Sequence, residues 1–167
     1  VIDACAKQKT IPFLQTSSNI FKSLDKEDFV YVIKRYGKRM DSKVIIHLDH
    51  CKDIHLITEA VFCGWDSVMI DGSHLSLTDN IMLTTEVCEI WKTKDVIVEA
   101  EIGQIKGAED DLSIKLDNIP DILDVKEFIN NTNIDMIAVA IGTAHGQYGK
   151  QELNINYNMI EAINRHT

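Results

Sequence analysis

Short apolar runs alternate along the chain with longer stretches in which apolar residues return every three or four positions. Residues 1–9 predict the tail of an amphipathic helix, and 11–15 a short apolar strand followed by a polar turn at 16–19. Ser23 or Asp25 caps the next helix, where Phe29, Val32, Ile33 and Tyr36 recur at helical spacing and Gly37 is the expected stop. A second strand is predicted at 44–47, then a helix capped by Asp53, with Leu56, Ile57, Ala60 and Val61 inward and Gly64 at its end. Residues 67–70 predict the third strand. Thr78 or Asp79 opens a long helix running through Ile81, Leu83, Val87, Ile90 and Trp91. The fourth strand is expected at 96–101, followed by a polar, glycine-bearing loop from 103 to about 117. A short helix from Asp124 or Val125 to Asn130, a fifth strand at 135–140 and a helix at 157–164 complete the pattern. Continuous apolar strands separated by helices predict an α/β fold, with a parallel sheet covered on both faces.

Polar chemistry collects after these strands, as at the carboxyl ends of a (β/α) barrel or a doubly wound sheet. His47-Leu48-Asp49-His50 follows the apolar run Val44-Ile45-Ile46. Strand alternation puts His47 and Asp49 on one face, and His50 stands where the chain turns. Glu99 and Glu101 share a face above Ile97, while Val96, Val98 and Ala100 point the other way. His145 sits between glycines in Gly142-Thr143-Ala144-His145-Gly146. Buried imidazoles and carboxylates are costly unless paired. A network with lysine or backbone would satisfy them; so would a borderline cation such as Zn²⁺, which takes His nitrogen and an occasional Glu oxygen. His55 and His166 read as surface residues, and His74 stays undecided. The loop Gly103-Gln104-Ile105-Lys106-Gly107-Ala108-Glu109-Asp110-Asp111 reads as a solvated loop or as a lid carrying an acid/base group.

At 167 residues the chain has room for one domain with a real core. A net charge of −9 without a Lys/Arg cluster argues against nucleic acid and anionic membranes as partners. The four cysteines, Cys5, Cys51, Cys63 and Cys88, form no C-x-x-C pair and read as reduced thiols. No apolar run is long enough to span a bilayer and no signal-peptide pattern is present, so the cytoplasm is the expected compartment.

His47-Leu48-Asp49-His50, Ser67-Val68-Met69-Ile70-Asp71-Gly72-Ser73-His74, Val98-Glu99-Ala100-Glu101-Ile102-Gly103, Glu109-Asp110-Asp111 and Ala138-Val139-Ala140-Ile141-Gly142-Thr143-Ala144-His145-Gly146 occur in that order. Together they resemble the class II, metal-dependent ketose-bisphosphate aldolases. The resemblance implies a (β/α)8 TIM barrel, of which this chain supplies about five of eight strand–helix units. Residues 1–167 would then be a single, incomplete barrel domain, lacking the first strand and the C-terminal strands. It implies Zn²⁺ held by His50 and His145, with Glu101 an alternative or nearby ligand, and a third histidine beyond Thr167. Asp49 would be the acid for the aldehyde oxygen, and Glu109 would move the proton beside the ketone. Ser17 would touch substrate, and Gly146 would offer backbone atoms to phosphate or to a monovalent cation, K⁺ or Na⁺. Lys106 and Ala108 depart from the family pattern and imply an altered lid.

The implied reaction is reversible cleavage of fructose 1,6-bisphosphate to dihydroxyacetone phosphate and glyceraldehyde 3-phosphate. Tagatose 1,6-bisphosphate is the alternative sugar, and a non-catalytic accessory subunit the alternative role. The partners implied are a phosphorylated sugar and further copies of the chain, as a homodimer or homotetramer.

Overall fold

A computed structural model describes residues 1–91, 94–105, 119–143 and 155–165. Five strands, β1 (Phe13–Ser17), β2 (Ile45–Cys51), β3 (Ser67–Ile70), β4 (Ile97–Ile102) and β5 (Met136–Val139), form one sheet in the order β1-β2-β3-β4-β5. β1 runs parallel to β2, with Gln15 opposite His47 and Ser17 opposite Asp49. β2 runs parallel to β3, with His47 opposite Ser67. Helices alternate with the strands: α1 (Ile2–Gln8), α2 (Ser18–Ser23), α3 (Lys26–Arg39), α4 (Ile54–Cys63), α5 (Leu77–Trp91), α6 (Ile122–Asn131) and α7 (Tyr157–Asn164). The α/β pattern expected from the apolar runs is therefore present, and β3 and α7 fall where the sequence puts them.

Several helix ends follow local chemistry. Asp25 accepts the Asp28 N–H (3.1 Å) to start α3, and Asp53 accepts the His55 N–H (2.8 Å) to start α4. Gly64, at φ 104°, closes α4 in the left-handed conformation that glycine adopts without steric cost.

Other ends differ from the expectation. Gly37 does not stop α3, which continues to Arg39. A Cβ at Gly37 would lie 2.8 Å from both the Ser42 carbonyl oxygen and Val44 Cγ2, so this glycine admits the chain returning to β2. α5 opens earlier than Thr78, with the Ser76 hydroxyl accepting the Asp79 N–H (3.2 Å). α6 is capped by Asp121, which accepts the Leu123 N–H (2.9 Å), rather than by Asp124. The expected turn at 16–19 is instead the end of β1 and the start of α2. Phe21, fully buried with its ring 4.9 Å from Trp65 in edge contact, gives that short helix its reason.

Two compact units are distinguished. The first holds Val1–Ile70 and Ile90–Glu99, the second Asp71–Glu89 and Ala100–Thr167. In the first, Ile46, Leu48, Ile57, Val68 and Ile70 are buried with Phe21 and Trp65. Lys34 ties this unit together by pairing with Asp66 and donating to the Val44 carbonyl (3.1 Å), while Asp66 accepts the Ile46 N–H (2.8 Å). In the second, Val87, Val125 and Phe128 are buried, together with the polar Asn80 and Thr84.

Candidate functional site

In the first unit the chemistry gathers at the end of β2. His47 is 1% exposed, and its Nδ1 lies 2.8 Å from Ser67 Oγ on the neighbouring strand. Its Nε2 stands 3.6 Å from Asp49 Oδ1 and 3.6 Å from Glu99 Oε2. His47 and Asp49 thus share a face, as strand alternation predicts. The His47 backbone is anchored as well: Trp65 Nε1 donates to Thr16 Oγ1 (3.0 Å), and Thr16 Oγ1 donates to the His47 carbonyl (3.1 Å).

β2 does not end at His47. It runs on to Cys51, and the step Leu48 to Cys51 faces the shorter step Val68 to Ile70 on β3. This extra residue is a bulge, uncommon in a parallel pair. It is accommodated at His50, whose φ is 46°, a left-handed conformation that His tolerates better than most residues. The local twist re-aims a side chain that regular alternation would fix. Ser17 closes β1 opposite Asp49, and its hydroxyl accepts the Ile20 N–H (3.4 Å).

In the second unit, Asp71 and Glu101 are buried, at 6% and 3% exposure, with carboxylate oxygens within 4.8 Å of each other. Asp71 Oδ1 accepts the Ser73 N–H (3.0 Å) and hydroxyl (2.6 Å). Asn80 Nδ2 donates to the Glu101 carbonyl (2.8 Å), and Asn80 Oδ1 accepts from the Thr84 hydroxyl (3.3 Å). Gly72 is required beside it, because a Cβ there would come within 2.2 Å of Asn80 Oδ1. Two ionised carboxylates this close repel each other, and positive charge nearby relieves that repulsion. In the sequence Asp71 stands only within the family-like run Ser67-Val68-Met69-Ile70-Asp71-Gly72-Ser73-His74, with no role of its own. The signal was available, since Asp71 directly follows β3 as Asp49 follows the apolar run of β2.

His55 and His74 are exposed. None of the four cysteines is in a disulfide, and burial pushes the thiols of Cys51, Cys63 and Cys88 above their usual range. Glu109, His145 and Gly146 lie outside the described residues, as do Lys106, Ala108 and His166. Among the described residues no helix is long and apolar enough to cross a membrane.

Comparison with known structures agrees with the fold. An aldolase of Escherichia coli K12, YdjI, superposes with a TM-score of 0.82 at 27% identity, over 99% of this chain and 57% of that one. A candidate fructose-1,6-bisphosphate aldolase of Coccidioides immitis superposes with a TM-score of 0.86 at 26% identity, over 99% and 58% of the two chains. At 19% identity, the fructose-bisphosphate aldolase of Campylobacter jejuni shares the fold, with a TM-score of 0.72 over 98% of this chain and 56% of that one. The chain thus spans just over half the length of the structures it matches. The sequence profile described as fructose-bisphosphate aldolase class-II matches residues 1–167, and the chain belongs to that family.

Proposed function

We propose that this chain carries part of the active site of a zinc-dependent ketose-bisphosphate aldolase. The reaction is reversible cleavage of fructose 1,6-bisphosphate to dihydroxyacetone phosphate and glyceraldehyde 3-phosphate. The observation that carries this reading is the cluster at the end of β2, where Asp49 and Glu99 each stand 3.6 Å from one buried imidazole, in a chain of aldolase family.

The cation would be held by His50, His145 and Glu101, with Asp71 beside Glu101. Imidazole nitrogen with carboxylate oxygen is a donor set suited to Zn²⁺. The buried Asp71–Glu101 pair supports a cation there, since positive charge relieves the repulsion of two carboxylates. When bound, the ion supplies a Lewis acid that stabilises negative charge on the ketone oxygen.

The remaining steps belong to side chains. In cleavage, the Asp49 carboxylate takes the proton of the C4 hydroxyl as its oxygen becomes the aldehyde. The C3–C4 bond breaks and its electron pair stays with C3. Glu109, protonated, then delivers a proton to C3 to complete dihydroxyacetone phosphate. Condensation runs these transfers backwards, with Asp49 as the acid. Ser17, opposite Asp49 in register, contacts the substrate, and Gly146 offers backbone atoms to a phosphate or to K⁺ or Na⁺. The free thiols suit a reducing compartment, and we place the enzyme in the cytoplasm as a homodimer or homotetramer.

The test is a coupled cleavage assay on the protein at its natural full length. EDTA abolishes turnover and Zn²⁺ restores it; activity that survives chelation overturns the zinc mechanism. Running fructose and tagatose 1,6-bisphosphate side by side identifies the sugar. No turnover of either with excess zinc would leave the chain an accessory subunit.

A further inference from the structure

His47 has no part in the reaction as written, yet it is buried and held at both backbone and ring. Its backbone carbonyl is tied through Thr16 to the Trp65 indole, and its ring is tied through Nδ1 to Ser67 Oγ at 2.8 Å. The Phe13 ring lies 6.3 Å away, tilted by 58°. The remaining nitrogen, Nε2, makes no hydrogen bond among the described residues and sits 3.6 Å from both Asp49 Oδ1 and Glu99 Oε2. A histidine serving only to fill the core would be expected to spend that nitrogen on a backbone carbonyl. This one turns it toward two acids.

Ionised carboxylates only accept hydrogen bonds, so a hydrogen on Nε2 is the tautomer that suits both acids; Nδ1 of that ring would accept from the Ser67 hydroxyl. At 3.6 Å the contacts are electrostatic and longer than an N–H···O bond.

We propose that His47 is a positioning residue for Asp49: its Nε2–H, braced by Ser67 and balanced by Glu99, fixes the direction in which Asp49 exchanges its proton with the substrate oxygen. No proton leaves the imidazole in this role. The inference rests on the aldolase reading, because Asp49 is the acid only in that reaction.

The test compares His47→Ala, His47→Gln and Ser67→Ala in the full-length, zinc-loaded protein. Three quantities are read: cleavage kcat and KM, exchange of the C3 proton of dihydroxyacetone phosphate, and the Asp49 orientation in crystals. Proton exchange is the work of Glu109 and does not need Asp49. With His47→Ala, cleavage kcat should fall about 100-fold, the cost of a misplaced catalytic group. KM, zinc content and proton exchange should stay near wild type, and Asp49 should be displaced. Gln places an amide N–H close to the Nε2 position and should recover most of the loss. Ser67→Ala keeps the imidazole while loosening it, and should give a smaller loss of the same kind even if His47→Ala folds poorly.

Equal losses of cleavage and exchange, no advantage of Gln over Ala, or an unmoved Asp49 would overturn the proposal. If the wild-type protein with zinc neither cleaves nor exchanges, the aldolase reading itself has failed. The position of Asp49 in the variant crystals then decides the role of His47 alone.

Discussion

The two units handle acidic side chains in different ways. At the end of β2 in the first unit, a buried imidazole stands between Asp49 and Glu99, 3.6 Å from each. In the second unit, Asp71 and Glu101 bring two carboxylates within 4.8 Å of each other, deep in the interior. The first arrangement sets acid against an imidazole the protein owns, beside the carboxylate proposed above for proton transfer. The second concentrates negative charge, which favours the arrival of a cation. Proton traffic and ion binding would therefore be separable functions, and substitutions should affect one without the other.

The most direct way to break that distinction is Asp49→Ala. Removing a general acid typically costs 10²–10⁴-fold, so cleavage should fall by roughly that factor while zinc content is unchanged. Loss of zinc in this variant would show that the first cluster also holds the ion. Glu101→Gln should do the reverse, weakening zinc binding roughly 10–100-fold in a chelator competition, by analogy with metal-supporting groups elsewhere.

A subtler substitution is Gly72→Ala. Its methyl would push Asn80 off the Glu101 carbonyl, costing about 1–3 kcal/mol in urea unfolding as an overpacked interior does. Zinc affinity should fall with it, while Asp49 chemistry is spared. Asp53→Ala, outside both clusters, should cost about 1 kcal/mol of stability through loss of the α4 cap and alter neither readout.

Much of this arrangement was readable in the residues. The run Ser67-Val68-Met69-Ile70 marks β3 to the residue because it is buried throughout and bounded by polar chemistry. The shared face of His47 and Asp49 follows from strand alternation alone. What escaped depends on contacts between distant segments. Gly37 looks like a helix stop, and only the approach of Ser42 and Val44 reveals its other use. Ser18 and Asn19 look like turn residues, and only the burial of Phe21 against Trp65 makes them helical. Asp71 shows itself as more than a strand-end marker only through its approach to Glu101. The bulge before Cys51 leaves no trace in the local pattern, since one additional residue changes register without changing composition.

That bulge has a consequence for affinity. Pairing resumes at Cys51 opposite Ile70, so the backbone around His50 is clamped on both sides of its left-handed turn. A ligand on a slack loop surrenders freedom each time it grips an ion. For His50 as the proposed ligand, that ordering would be completed when the chain folds, and less of the binding energy would be spent on it. The same clamp makes His50 hard to replace by insertion or deletion nearby, because a shift of one residue in either direction would turn its neighbours to the opposite side of the sheet.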